Sequence, residues 1–434
     1  MFAALLDILI AALIFPFYSR DKTIRDPFDP AHRIEREVGE RGRRLFAGIE
    51  LQRDLRSVIG AMTVIEGKGK YLRVIGSTSC VHELDLHTQK ILTQLASSPD
   101  PTLLDWRAIQ EDVAFTIATV AESLKSQAGK YVERLMVIAT LDPGLHIQDT
   151  DGKTRHFPLC DPNLLAEMTG ITIVDAFGIR DRAAHGTGQG LFSMPAWLLL
   201  ADRAKPIANC NRALIQIGTE CRAYFLPASD GLDIEIPEIR FLNIDTRPIL
   251  AQYFDIESNQ FESELHQCNI QGQCIPELVA HIRRTLNSKH CDCESTMSES
   301  KSDFARSFVV ALTDELLHQL NSSVNKQTID EWFIDSSHSI LGSFVNQFQR
   351  ACPKSKVQPA SSILEQAGAS SAVLTSILGA MNVDQVPGNI PWITGADSQR
   401  ILGRITPGSP SNWRQLLREM ADFQPPAMRL RDAV

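Results

Sequence analysis

A chain of 434 residues with 44% hydrophobic and 22% charged residues holds enough apolar material for a large core, and its composition excludes the disordered and fibrous classes. Its length suggests two or three domains, and a formal net charge of -9 gives no general attraction for nucleic acid or an anionic membrane, so nucleic acid is not expected as a partner. Nine cysteines, an odd number without a regular framework, point to a reducing compartment, the cytoplasm.

Met1 to Tyr18 is apolar except for Asp7 and ends at Ser19-Arg20-Asp21-Lys22. A spanning helix needs about 20 apolar residues, and a secretory signal needs a basic start and a small-residue cleavage site. The segment therefore reads as a buried or interfacial helix, or as an over-long start of the reading frame, with membrane contact through residues 1–18 left open. Asp21 to His32, with Pro27 and Pro30, reads as a linker. Arg33 to Gly60 then has helical spacing at Ile34, Val38, Leu45, Ile49 and Leu55, although Gly39, Gly42 and Gly48 oppose it. Arg41, Arg43 and Arg44, after Glu35, Glu37 and Glu40, are expected on a solvated, salt-bridged face.

The main body is expected to begin near Lys70, where Tyr71 to Gly76 is strand-like and meets a Gly-Ser-Thr-Ser turn. A long amphipathic helix follows over Asp105 to Ala128, then a strand over Tyr131 to Ile138. Asn163 to Gly170 reads as a helix closed by glycine, and Ile171 to Val174 as a buried β-branched strand. Arg180-Asp181 and the glycine-studded Gly186-Thr187-Gly188-Gln189-Gly190 come next. Leu214 to Thr219 and Arg222 to Leu226 read as two strands about a tight turn, which places Gly218 where backbone N–H groups face a phosphate.

His290-Cys291-Asp292-Cys293 is a local cluster of metal-binding atoms, with His266, Cys268 and Cys274 upstream. It lacks paired Cys-x-x-Cys knuckles, so Ser288 to Ser302 reads as a surface loop and no metal site is expected there. Phe304 to Asn321 is an amphipathic helix, Trp332 to Ile334 a strand, and Ala367 to Met381 a small-residue helix suited to close packing. The alternation of short strands and helices points to α/β layers, and no repeat of fixed period is present.

Two stretches carry a resemblance: Arg155 to Phe192, and Val386 to Gly408, VPGNIPWITGADSQRILGRITPG. Together they resemble the anhydro-N-acetylmuramic acid kinases, sugar kinases of the actin/Hsp70/hexokinase-like fold. The resemblance implies an α/β protein of two lobes, each a mixed sheet flanked by helices, around an interlobe cleft. Residues 1–69 form an N-terminal extension, 70–230 a first lobe and 231–434 a second. It further implies ATP with Mg, an amino sugar as substrate and a homodimer. The implied chemistry is hydrolytic opening of a 1,6-anhydro bridge with phosphorylation of the 6-oxygen, a step of cell-wall recycling.

Residue by residue, the family's first phosphate turn falls on Gly76, Thr78 and Ser79, where its internal Asp-Gly is replaced by Val81-His82-Glu83. The sugar-site segment falls near Asp142 to His146, with Gly144 in place. Asp-Phe-Arg-x-x-Asp-x-Ala-Ala-Gly-Gly-Gln-Gly is best kept. It gives Arg180 and Asp181, as holders of sugar hydroxyls or as a structural ion pair, and Gly188, Gln189 and Gly190 as a close backbone approach. The second phosphate turn keeps Gly218 but brings in Glu220, an anion where a polyphosphate would lie. Asp245 stands in the place of the general base, with Thr246 and Pro248 matching and both glycines lost. The adenosine turn, due after Ile334, is replaced by Asp335-Ser336-Ser337-His338 without a glycine run. The implied reading is a kinase-like protein with eroded nucleotide motifs. The alternative is a non-catalytic descendant that binds sugar or protein.

Overall fold

The computed structural model describes residues 42–421 except 53–54, 98–102, 149–153, 203–209, 230–237, 257–260, 288–299, 324–327, 337 and 365–367. The N-terminal apolar segment, the linker after it and the His290 to Cys293 cluster lie outside the described residues.

The first sheet opens with three antiparallel strands, β1 (Arg43–Leu51), β2 (Ser57–Glu66) and β3 (Arg73–Glu83). Helices α1 (Leu86–Ser97) and α2 (Leu103–Ala128) lead back to β4 (Leu135–Leu141), parallel to β1. A small hairpin of β5 (Leu145–Gln148) and β6 (Thr154–Phe157) precedes α3 (Pro162–Thr169) and β7 (Thr172–Asp175), parallel to β4. After α4 (Phe177–Arg182) and α5 (Ser193–Leu200) the chain builds a second sheet from β8 (Arg212–Gln216), β9 (Glu220–Leu226) and β10 (Arg240–Asp245). Helices α6 (Arg247–Leu250), α7 (Phe261–Gln271), α8 (Pro276–Asn287) and α9 (Lys301–Ser323) follow, then β11 (Glu331–Asp335), α10 (His338–Ala351) and β12 (Lys356–Pro359). The chain returns to the first sheet through α11 (Ser370–Val383), α12 (Pro391–Thr394), β13 (Arg404–Thr406) and α13 (Pro410–Ala421).

The strand orders are β3-β2-β1-β4-β7, with β13 added at the β7 edge, and β10-β9-β8-β11-β12. In both, three antiparallel strands come first and the fourth and fifth run parallel to the first. The two lobes are thus the same topology used twice, a duplication the sequence does not display as a repeat.

Strand alternation sends each sheet's side chains into two cores. Leu45, Ala47 and Ile49 of β1 face α1 and α2, whereas Phe46 faces the centre of the molecule. In the second sheet Ala213, Ile215, Trp332 and Ile334 face the outer helices, while Leu214, Tyr224 and Phe333 join Phe46 in the central core. Helices α5 and α11 fill that centre, so the layers run helix, sheet, helix, sheet, helix. α11 has no solvent face: every residue from Ala372 to Val383 is buried, the polar Thr375, Ser376 and Asn382 with hydrogen bonds to protein partners.

The segment expected as a helix up to Gly60 is instead strand from Arg43 onward. Residues 44–51 of β1 are all buried and β2 is buried from Val58 to Ile65, a pattern that two-sided central strands require and a one-faced helix does not. The first sheet therefore begins before Lys70. Likewise β8 and β9 belong to the second sheet rather than to a lobe ending at residue 230, and β13 belongs to the first. Arg44 is not on a solvated face: it is 4% exposed and pairs with Asp384 at 2.6 Å.

Gly48 shows how closely helix and sheet meet, since a Cβ there would lie 2.0 Å from the Ala372 carbonyl oxygen and 2.3 Å from the Ser376 nitrogen. Gly48→Ala is expected to lower unfolding stability by about 3 kcal/mol or more, because backbone on both sides must move. Gly342, on an open face of α10, has nothing within 4 Å of its notional Cβ. Gly342→Ala is therefore expected to raise stability by about 1 kcal/mol. Urea titrations of the two variants give opposite signs if the helix is seated as described.

Candidate functional site

The helix and strand read at Asn163 to Val174 form as α3 and β7. Asp161 caps α3 by accepting from the Asn163 N–H, Pro162 occupies its first turn, and Gly170 closes it in the left-handed region at φ 68°. β7 carries the chain to the lobe junction, where α4 turns it into the glycine loop.

Asp181 organises that loop. It is wholly buried, accepts the Gly188 N–H through Oδ2 at 2.9 Å, and accepts the Asn389 side-chain amide through Oδ1 at 3.0 Å. Gly186 has to be glycine, because a Cβ would stand 2.1 Å from Asp181 Oδ2. Asn389 in turn accepts the Arg400 N–H at 2.6 Å, and Thr187 donates its N–H to the Thr394 carbonyl at 2.7 Å. The two motifs that carried the resemblance thus hold each other, more than 200 residues apart in sequence.

The loop forms one wall of a cleft of about 530 Å3 between the lobes, within the range of small-molecule sites. Gly144, Gly188, Gln189 and Gly190, expected to bind substrate, all line it. The other expected pair divides. Asp181 lies beneath the loop as its support, Arg180 is exposed outside the lining, and Arg182 faces the cleft instead. The floor holds Asp142, whose carboxylate accepts N–H bonds from Gly144 at 2.8 Å, Leu159 at 2.5 Å and Cys160 at 2.9 Å.

The opposite wall belongs to β9 and β10. Tyr224 and Phe241 lie with ring centroids 5.2 Å apart, an apolar face beside polar Asn243. Arg222, 15% exposed, stands among charges from both lobes. Burial pulls its guanidinium down, but Tyr224, Glu50 and Glu220 outweigh burial and raise it above the ordinary arginine value. Glu50 reaches this group from the end of β1 in the other lobe.

Gly218, in the turn between β8 and β9, and Asp245, at the end of β10 opposite Glu220, come together on the same side of the cleft. Thr246 ties them, its hydroxyl donating to the Gly218 carbonyl at 3.1 Å and the Thr219 carbonyl at 2.9 Å. Neither residue lines the cleft. Arg247 does: its Nε and Nη2 each reach the Asp245 carboxylate at 2.9 Å, and Nη2 lies 3.3 Å from Glu220 Oε1.

The expected first phosphate turn is not a turn. Gly76, Thr78 and Ser79 lie inside β3, opposite Val64, Met62 and Ala61, and the Thr78 hydroxyl donates to Gln127 of α2 at 2.7 Å. The topological counterpart of the Gly218 hairpin is the turn between β1 and β2. There Arg56 donates to the Ile256 carbonyl of the second lobe at 3.3 Å. The expected adenosine turn begins at Asp335, a 4% exposed carboxylate that accepts the Gly368 N–H at 2.7 Å and the Ser370 N–H at 3.2 Å, capping α11.

Motif matching passed over Glu50, Arg182, Arg222, Tyr224 and Arg247. The i, i+2 spacing of Arg222 and Tyr224 on a strand was the available signal, since it places both on one face. Glu50 gave none while its segment read as a helix.

Duplicated sheets, a helix between them and a cleft walled by both lobes define the two-lobed actin/Hsp70/hexokinase-like class. No family model matches the chain. It is 24% identical over 335 residues to the anhydro-N-acetylmuramic acid kinase of Nitrosomonas europaea, covering 70% of this chain and 88% of that protein. It is 26% identical over 270 residues to that of Coxiella burnetii, covering 58% and 69%. Among solved structures it is similar to the xylulose kinase of Rhodospirillum rubrum, at 11% identity and TM-score 0.35, covering 88% of this chain and 97% of that one. The chain is thus similar to anhydro-N-acetylmuramic acid kinases of several bacteria, at 24–28% identity over 43–70% of its length.

Asp142 opens partly onto the cleft, yet surrounding protein pushes its carboxyl up to about 6 against the three N–H donors that favour the carboxylate. The folded chain therefore holds an extra proton between the ordinary value of 3.8 and about 6, and this group's contribution to stability falls as pH rises through that window. Urea unfolding across the window is expected to show this decline in the native chain and a flatter profile in Asp142→Asn. Identical profiles would remove Asp142 as its source.

Proposed function

We propose that the cleft binds a 1,6-anhydro amino sugar and that the chain does so without transferring phosphate to it. The sugar side is supported by Arg182, Gln189 and Asn243, which bring a cation and two polar side chains from both lobes to the cleft, and by half-buried Phe241 beside them.

One observation carries the second half: Arg247, where the family has a glycine, holds both oxygens of Asp245 and touches Glu220. A carboxylate in that pairing is a poor base, because taking a proton means giving up the guanidinium. Mg with a triphosphate does not fit the residues present. Glu220, Glu50 and Asp245 supply negative charge where phosphate would lie, their cationic partners are arginines already engaged, and the Asp335 carboxylate is committed to capping α11. Seven cysteines among the described residues are free, which fits a reducing cytoplasmic setting.

Calorimetric titration with 1,6-anhydro-N-acetylmuramic acid and, separately, with Mg-ATP distinguishes the readings. Heat of binding is expected for the sugar and none for the nucleotide, with no sugar-dependent ADP release. Arg182→Gln is expected to weaken the sugar about tenfold while melting near the native temperature. The second reading, ATP-dependent ring opening with 6-phosphorylation, is favoured by Asp245 keeping its place beside the Gly218 hairpin. Sugar-dependent ADP release that disappears in Asp245→Asn would establish that reading and overturn the silent one.

A further inference from the structure

On the helical layer outside the second sheet, far in sequence from the cleft residues, α7, α9 and α10 enclose a recess of about 350 Å3. Close approach of α7 to α9 shapes it: a Cβ on Gly272 would stand 1.8 Å from the Ser302 carbonyl oxygen. Asn269, Gly272, Arg306, Ser343, Gln347 and Arg350 line it, and no carboxylate does.

In a chain of net charge -9, two arginines meeting without an acid is the unusual feature. Neither Arg306 nor Arg350 has an ion pair or hydrogen-bond partner among the described residues. Arg350 stands in the last turn of α10, where the helix dipole holds a cation in the absence of an acid. Asn269 is 3% exposed; its amide donates to the Ser343 hydroxyl at 2.8 Å, and its Oδ1 is buried with no partner.

We propose that this recess binds a phosphate monoester of a hydroxylated small molecule. Two guanidinium groups from two helices match the charge and the several acceptor oxygens of a phosphate dianion. Ser343 and Gln347 supply neutral polar groups for the hydroxyls on the rest of the ligand. The recess is distinct from the cleft and does not depend on what the cleft binds.

The test is calorimetric titration of the full chain, at constant ionic strength, with glucose 6-phosphate, inorganic phosphate and glucose. Glucose 6-phosphate is expected to bind at least about tenfold more tightly than either of the others. Arg306→Gln/Arg350→Gln is expected to weaken it about tenfold or more, and the single Arg306→Gln variant to weaken it in the same direction should the double variant fold poorly. The cleft variant Arg182→Gln is expected to leave it unchanged. Undiminished binding in the arginine variants, loss of binding in Arg182→Gln, or inorganic phosphate binding as tightly as the ester would overturn the assignment.

Discussion

Both lobes are fastened to one helix. At its start α11 is capped by Asp335, from the end of β11 in the second sheet, whose carboxylate takes the Gly368 and Ser370 N–H groups. At its end Asp384 accepts the Arg44 guanidinium from β1 of the first sheet and the Gly69 N–H at 2.8 Å. An anion at the N-terminus and a cation near the C-terminus each complement the helix dipole. Each also brings a different sheet to the helix, so α11 ties the two lobes together.

That arrangement constrains the chemistry. Burial pushes the Asp335 carboxyl up, and the Ser370 and Gly368 donors oppose the push, so the group is stable only with those donors in place. Its position is the one where the resemblance places the adenosine turn, and its carboxylate is committed to capping α11. On the facing side, Glu50 of one lobe and Glu220, Arg222, Asp245 and Arg247 of the other meet as a charge network, and Arg56 reaches the Ile256 carbonyl. Contacts within the protein thus join the two lobes on this side of the cleft.

What the sequence makes legible has a physical pattern. α2, α9, the helix and strand around Gly170, and the hairpin at Gly218 show through because local periodicity and turn residues decide them. β1 and β2 do not, because a strand buried on both faces has no alternation and Leu45, Ile49 and Leu55 happen to fall at helical spacing. Misreading those strands shifted the first phosphate turn onto β3, where Gly76 to Ser79 are small residues in a sheet rather than a loop. Arg247 was visible as a lost glycine, but its grip on Asp245 depends on a rotamer and on Glu220 across the strand pair, which no spacing reveals.

The same physics explains why the glycine loop keeps its sequence. The glycine loop is braced by Asp181, Asn389 and Thr394, all buried, so changing it would leave buried polar groups unmatched and damage the fold whatever the cleft binds. The turn at Gly218 and Thr219 carries no buried polar side chain and is under less constraint of this kind. Survival of the loop is therefore weak testimony to binding. Gln189 and Asn243 are stronger: both are exposed and both face the cleft, one from each lobe, with no side-chain hydrogen bond to the described protein. Polar side chains aimed from two lobes at one space, and not needed to hold either lobe together, are what a ligand would account for.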